Sequence, residues 1–494
     1  MNRIVNISKE EFLKNKSENL TFSVISEYRG DEVTPIKIFN SLKGSNKFIF
    51  ESGEKRNLEG RYSFISENSY LEIQGNDSDT IDKINNELNR NFNVESNQLP
   101  FKGGGIGYIG YNAVAFYEKT IKIDNEDKLN VPVVRFNFYK RYVAYDHFSS
   151  KLYIVNNIFQ EDDKSYEEVL DSQNKYYKEF ITSEVVIVEE SNNCKKNNKD
   201  SCKHDNYKDK YEDIISQDNE EKNVFKYSDS DENFFSIVEE AKEHIKSGDI
   251  FQVVLSRRGI IRTEKSALEI YRSLREENPS PYMFLLDYKD YQVVGASPES
   301  LVSIKDGIIT TNPIAGTRKR GHDVEEDLRL EEELKNDSKE LAEHVMLVDL
   351  SRNDVGRVSE IGTVEVSSFM KIEKFSHVMH ITSTVQGKLK DKNNQLKALF
   401  SCFPAGTVSG APKIRAMQII NELEDLDRGI YSGAIGYASY GGNLEMCIAI
   451  RTIVLKDKIA NIQAGAGIVY DSIAEKECEE VDNKLSILRE VVLR

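Results

Sequence analysis

Gly248-Asp-Ile-Phe-Gln-Val-Val-Leu255 is the stretch from which the rest of the chain can be parsed. Its glycine closes a helical pattern running from Phe234 to Lys246, as glycine does just past a helix end. The apolar run from Ile250 to Leu255 follows at once and reads as a strand. Toward the C-terminus, further helices alternate irregularly with glycine-punctuated strands such as Ala464-Gly-Ala-Gly-Ile-Val469. Toward the N-terminus, short strand-like runs recur between turns: Lys47-Phe-Ile-Phe50, Val133-Val-Arg-Phe-Asn-Phe138 and Leu152-Tyr-Ile-Val155. Strands that follow one another without regular helical crossovers predict an α+β fold with mainly antiparallel sheet.

Between these halves lies Ser191-Asn-Asn-Cys-Lys-Lys-Asn-Asn-Lys-Asp-Ser-Cys-Lys-His204, and the sequence stays polar to about Glu232. Such a segment is too poor in apolar residues to pack a core. The chain therefore divides into an N-terminal region (1–188), a polar linker expected to be disordered (189–232) and a C-terminal region (233–494). Cys194, Cys202 and His204 do not have the spacing of a zinc site.

The chain's 494 residues suffice for a large core. With 66 basic against 83 acidic residues, the net charge is −17, which argues against nucleic acid or an anionic membrane as partner. There is no signal-peptide hydrophobic region and no apolar run of membrane-spanning length. Five cysteines, sparse and odd in number, fit a reducing cytoplasm, so a soluble cytoplasmic protein is expected. The chain contains no tryptophan. Compositional bias toward Asn, Lys and Ile explains this; so does a need to make the protein when tryptophan is scarce.

Two helical segments carry the same carboxylate spacing, Glu340-Leu-Ala-Glu343-His344 and Glu477-Cys-Glu-Glu480. Residues three apart share a helix face, so each pair aims two carboxylates one way. Acidic pairs also simply solvate helix surfaces. Here Val345, Met346, Leu347 and Val348 follow the first pair, so that helix is expected to be buried. Four carboxylates from two helices suit a hard divalent cation, Mg²⁺, holding an oxygen-rich substrate. Two small-residue loops, Asn312-Pro-Ile-Ala-Gly-Thr-Arg318 and Pro404-Ala-Gly-Thr-Val-Ser-Gly-Ala-Pro-Lys413, offer backbone donors and cations to an anion, though either could be only a tight turn. Arg451 ends the apolar run Cys447-Ile-Ala-Ile, where a buried charge needs an anionic partner. Lys484, one turn after Glu480, shares the carboxylate face or forms an intrahelical ion pair. His380, in Val378-Met-His-Ile-Thr382, is either a satisfied core histidine or a general base. Gly105-Ile-Gly-Tyr-Ile-Gly110 matches a dinucleotide-loop pattern but lacks the strand before it, so a closely packed strand is expected.

Together these motifs resemble the chorismate-utilising enzymes, and within them the anthranilate synthase component I branch, along the whole chain apart from the linker. The resemblance implies a complex multi-sheet fold with a central cleft. It implies Mg²⁺ on Glu343 and Glu480, with Glu340 and Glu477 in support, holding a carboxylate of chorismate. Gly316, Thr317, Tyr431, Arg451, Gly465, Gly467 and Lys484 match the family's substrate-binding positions. Glu299, in Ala296-Ser-Pro-Glu-Ser-Leu-Val302, matches the general acid, and His380 the base. Thr407 completes the catalytic set beside the incoming nucleophile. The implied reaction adds ammonia at ring C2 with loss of the C4 hydroxyl, then eliminates pyruvate to give anthranilate. Gln252 and Ala315 stand where water-using and covalent members of the family carry lysines, and neither can act as base or nucleophile. No cysteine has a glutaminase-like setting, so ammonia is expected from a glutamine amidotransferase subunit (component II), in a heterotetramer with two of each chain. Phe50-Glu51-Ser52, Asn278-Pro279-Ser280-Pro281-Tyr282-Met283-Phe284 and Cys447 resemble the family's tryptophan inhibitor pocket, which implies feedback inhibition. A turn stiffened by Pro279 and Pro281 accounts for the second segment equally well. Two other readings remain on the residues alone. A non-catalytic regulatory member would have lost a metal carboxylate, Glu299 or His380, and all are present. A di-iron helical protein needs Glu-x-x-His pairs, whereas the histidine here directly follows Glu343.

Overall fold

A computed structural model of the chain describes residues 4–52, 61–123, 125, 127–182, 224–374, 378–392 and 394–494. The helix predicted from Phe234 begins at Asp231, because the Ser230 hydroxyl accepts from the Asn233 amide and caps it. Gly248 follows at φ +83°, a conformation that favours glycine, and the strand runs from Gln252 to Arg262. That strand pairs antiparallel with Ile459–Ile468 along its length, from Val253 opposite Ile468 to Arg262 opposite Ile459. It lies near one end of a 13-stranded sheet; a second sheet has 10 strands, and every registered pair within both is antiparallel. The fold is α+β, as expected.

Neither sheet belongs to one half of the sequence. In the larger, N-terminal Lys47–Glu51 pairs with Tyr282–Asp287, setting Glu51 opposite Met283 and Phe50 opposite Phe284. In the smaller, Gly104–Ile109 pairs with Ala434–Ser439. The regions 1–188 and 233–494 thus share both sheets. The dinucleotide-like glycines are part of that second seam. A Cβ on Gly107 would stand 1.9 Å from the Arg135 carbonyl oxygen, so glycine is there for close strand contact.

Alternation of side chains explains why apolar residues run without a polar partner in these strands. Phe48, Phe50, Phe284 and Leu286 enter a core that also takes Ile106, Tyr108, Ile435 and Cys447 of the other sheet. Their neighbours Ile49, Met283 and Leu285 point the other way, into the core beneath the helices. Burying each such side chain contributes about 1.5–3 kcal/mol. The larger sheet is therefore covered on both faces along these strands. Of the polar span, residues 189–223 lie outside the described residues, including Cys194, Cys202 and His204. Its expected end at 232 requires correction: Phe225–Tyr227 already forms a strand on Gly259–Ile261, and the helix begins at Asp231. The register supplies backbone partners that composition does not reveal.

Candidate active site

Two of the places where the C-terminal half of the chain passes from one sheet to the other carry a candidate residue. Glu299 lies between Gln292–Ser297 of the larger sheet and Ser300–Lys305 of the smaller. Arg451 lies between Leu444–Ile448 of the smaller and Thr452–Lys456 of the larger. The crossovers hydrogen-bond each other: the Ile448 amide donates to the Glu299 carbonyl (3.0 Å), and the Ala296 amide to the Arg451 carbonyl (3.1 Å). Arg451 itself adopts φ +47°. Such left-handed backbone is uncommon for a non-glycine residue.

Around Glu299 the environment favours the neutral acid. Burial raises its pKa to about 7, against the Thr407 hydroxyl, which donates to Oε1 at 3.0 Å, and the more distant charge of Lys484. Thr407 stands on the Pro404–Lys413 loop. That loop is tied down by Lys413, whose ammonium donates to Asp354 (2.8 Å) and to the Cys402 carbonyl (3.3 Å).

His380 and Thr317 face each other across paired strands. The pairing slips between Ala315 and Thr317, and Gly316 at the slip has φ +70°. This bulge turns the Gly316 carbonyl toward the imidazole, at 3.1 Å from Nδ1. A carbonyl can only accept, so Nδ1 carries the proton and Nε2 is the basic nitrogen. The Thr317 hydroxyl also lies 3.0 Å from Nδ1 and accepts from it. Burial lowers the imidazole pKa, the Gly316 carbonyl opposes that, and the Arg451 charge lowers it further. Arg451 is itself pushed down by burial, and no carboxylate pairs with it among the described residues.

The two glutamate pairs are helical, as predicted, on Ser338–Val358 and Ala474–Leu493. The helices bring Glu343 and Glu480 within reach of each other's field. Burial raises the Glu343 carboxyl, and Glu340 and Glu480 add to the rise, against Lys339 and a hydrogen bond from Gln252. Glu477 is raised by burial and by Glu480, against Ser472 and lysine charges. Glu340 lies 3.5 Å from Arg318, and Glu480 pairs with Lys484 at 2.8 Å. No three acidic, histidine or cysteine side chains converge into a finished metal cage among the described residues. The donor chemistry nonetheless suits a hard divalent cation, which would relieve the like-charge repulsion at Glu343. The expected burial of the first helix needs correction: Val345 is 47% exposed, while His344, Leu347 and Val348 are buried. The helix is amphipathic, with one face on the sheet.

Lys484 also donates to the Gly465 carbonyl at 2.8 Å, which brings it to the strand Ile459–Ile468. A Cβ on Gly465 would meet the Leu255 carbonyl at 2.7 Å and the buried Tyr431 hydroxyl at 3.0 Å. One on Gly467 would sit 2.7 Å from the Gln252 amide. Hydrogen bonds and charge interactions thus link Glu299 to Thr407 and Lys484, Lys484 to Gly465 and Glu480, Glu480 to Glu343 and Glu477, and Arg451 to His380 beside Thr317.

The residues resembling an inhibitor pocket fall in two places. The buried Glu51 carboxylate is gripped by the Tyr271 hydroxyl (2.7 Å), Arg275 (3.0 Å) and the Ser63 hydroxyl (3.1 Å). Phe284 and Cys447 lie nearby in the core between the sheets, while Met283 points to the opposite face. Ser52 is the last described residue before 61; Pro279, Ser280, Pro281 and Tyr282 form the turn into the strand. Asn278 reaches instead toward the cleft and accepts from Arg451 at 3.2 Å.

Sequence reading missed what holds these groups. A fully buried Arg428 pairs with Glu424 at 2.6 Å and donates to the carbonyls of Val408 and Val254, both at 2.7 Å. It thereby ties the Thr407 loop to the strand Gln252–Arg262. The Glu424–Arg428 spacing of four was the available signal, but such pairs usually sit in solvent and contribute little.

The chain matches the sequence profile of chorismate binding enzymes over residues 45–490. It is 41% identical to anthranilate synthase component 1 of Acetivibrio thermocellus, covering 95% of this chain and 94% of that one. With the Bacillus subtilis protein of the same name the identity is 38%, covering 100% and 96%. The crystal structure of anthranilate synthase component I from Streptococcus pneumoniae superposes with a TM-score of 0.74 at 37% identity, covering 93% and 98%. The menaquinone-specific isochorismate synthase of Escherichia coli, 17% identical with a TM-score of 0.68 over 98% of both chains, shares the fold.

Proposed function

The chain belongs to the chorismate binding enzymes and is of the anthranilate synthase component 1 type, and from this premise we propose the finer chemistry: Mg²⁺-dependent amination of chorismate by ammonia to anthranilate and pyruvate, with feedback inhibition by tryptophan. The observation that carries the reading is an acid and a base both set beside the Arg451 crossover. The Glu299 carboxyl titrates near 7, while the His380 imidazole is held below its ordinary value and neutral at that pH.

Substrate carboxylates meet Arg451, whose half-buried guanidinium has no acidic partner among the described residues, and the backbone beside Gly465 and Gly467. Glu343 and Glu480, backed by Glu340 and Glu477, would hold Mg²⁺, which neutralises a substrate carboxylate and fixes the ring when bound. Ammonia forms the new C–N bond at ring C2. The C4–O bond breaks, and Glu299 gives its proton to the departing hydroxyl, which leaves as water. Thr407 keeps that carboxyl aimed. In the second step Nε2 of His380 takes the C2 proton. The electron pair aromatises the ring as the C3–O bond breaks, and the leaving group departs as the enolate of pyruvate, which takes up a proton at its methylene carbon to become pyruvate. Gln252, beside Glu343, and Ala315, one residue from the bulge, cannot deprotonate water or attack the ring, which favours ammonia as the nucleophile.

Ammonia would come from a partner glutamine amidotransferase, in keeping with the component 1 relatives. The test is the nitrogen source. Purified chain with chorismate and Mg²⁺ should form anthranilate with ammonium salt and none with glutamine alone. Glutamine-driven turnover by this chain without a partner would refute the two-subunit reading.

A further inference from the structure

We infer that Asn278 is a positioning residue for chorismate binding: its side-chain oxygen orients the Arg451 guanidinium without neutralising it. This rests on the reading of Arg451 as a substrate-carboxylate ligand, and it is a role separate from the inhibitor pocket that the segment resembles.

Four observations carry it. The guanidinium is a donor only, so the 3.2 Å contact from Arg451 Nη1 fixes the Asn278 amide with its oxygen toward the cleft. The amide nitrogen of Asn278 is then buried with no hydrogen-bond partner among the described residues. Leaving a buried donor unpaired carries a free-energy cost that a purely structural asparagine would be free to avoid. Third, Asn278 does not drift: it caps the C-terminus of the helix Ala267–Glu277, its backbone amide donating to the Leu274 carbonyl at 2.9 Å. That helix in turn grips the buried Glu51 through Tyr271 and Arg275. Fourth, Arg451 sits at φ +47° on a sheet crossover, and from there its guanidinium meets the Asn278 side chain.

The choice of an amide over a carboxylate follows from electrostatics. A carboxylate at this position would hold the guanidinium as firmly but would also neutralise it, in a buried site where the charge is worth most. A neutral oxygen aims the fork and leaves its full charge for the ligand.

Steady-state kinetics with chorismate, Mg²⁺ and ammonium separate the possibilities. Asn278→Asp, nearly isosteric, should raise KM for chorismate by about tenfold or more, with kcat and KM for ammonium within about twofold. Asn278→Ala, which loses the aim but keeps the charge free, should raise KM for chorismate by a smaller factor. A merely structural role gives the opposite order, with Asn278→Asp close to wild type and Asn278→Ala impaired in both kcat and thermal midpoint. That order, or an unchanged chorismate KM in Asn278→Asp, would overturn the proposal. Absence of anthranilate from the wild-type protein would instead overturn the reading of the reaction.

Discussion

Replacing His380 by asparagine is expected to uncouple the two halves of the reaction. Chorismate and ammonia should still be consumed, because the acid that drives amination is Glu299, held by Thr407 and not by His380. Pyruvate release should fall by about 10²–10⁴, the usual contribution of a positioned general base. The aminated, non-aromatic intermediate, an aminodeoxyisochorismate, should then accumulate. Asparagine can still donate to the Gly316 carbonyl, so the bulge that places the side chain is preserved. Chromatography of the reaction mixture with mass detection reads the outcome. Equal loss of chorismate consumption and pyruvate formation would show that His380 serves the first step, or only the fold.

The second large effect is at Glu299, and it has two signs. Glu299→Gln removes the transferable proton while keeping an acceptor for Thr407, so amination should drop by about 10²–10⁴. In the wild type, activity per unit of free ammonia should decline as pH rises through about 7, where the acid loses its proton. It should also decline on the acid side, below the ordinary histidine value, where His380 becomes protonated. Stability falls over the same rise in pH. The folded pKa, about 7, lies above the ordinary 4.5, so the native state holds an extra proton between those values and stability falls as pH rises across them. Moving from 4.5 to about 7 corresponds to about 3 kcal/mol. Glu299→Gln escapes that penalty. Relative to wild type it should therefore gain stability toward pH 8 and lose the gain near pH 4.5, as urea midpoints would record. A gap independent of pH would mean that Glu299 titrates normally.

The helices and the residues of the cleft were legible in sequence to the extent that their geometry is local. The glutamate pairs three apart announce a helix face within a few residues, whereas Asn312–Arg318, read as a loop or tight turn, is mostly a bulged strand. What was not legible is non-local. Nothing around Lys47–Glu51 says that it pairs with Tyr282–Asp287, because strands paired at long range leave no mark on their neighbours beyond their alternation. The same gap hid the crossovers that bring Glu299 and Arg451 together, and the reach of Asn278 to Arg451. Val345 was misplaced for a different reason. An apolar run on a helix was read as burial all round, whereas a helix against a sheet buries one stripe. Arg428 shows the converse, a charged pair with surface spacing that tertiary packing has enclosed.

Identification of the product formed from chorismate, Mg²⁺ and ¹⁵N-labelled ammonium tests the central claim most directly. The account predicts anthranilate, with the label on the ring carbon adjacent to the carboxylate and pyruvate released in equal amount. Isochorismate, or 4-amino-4-deoxychorismate with the label at C4, would contradict it.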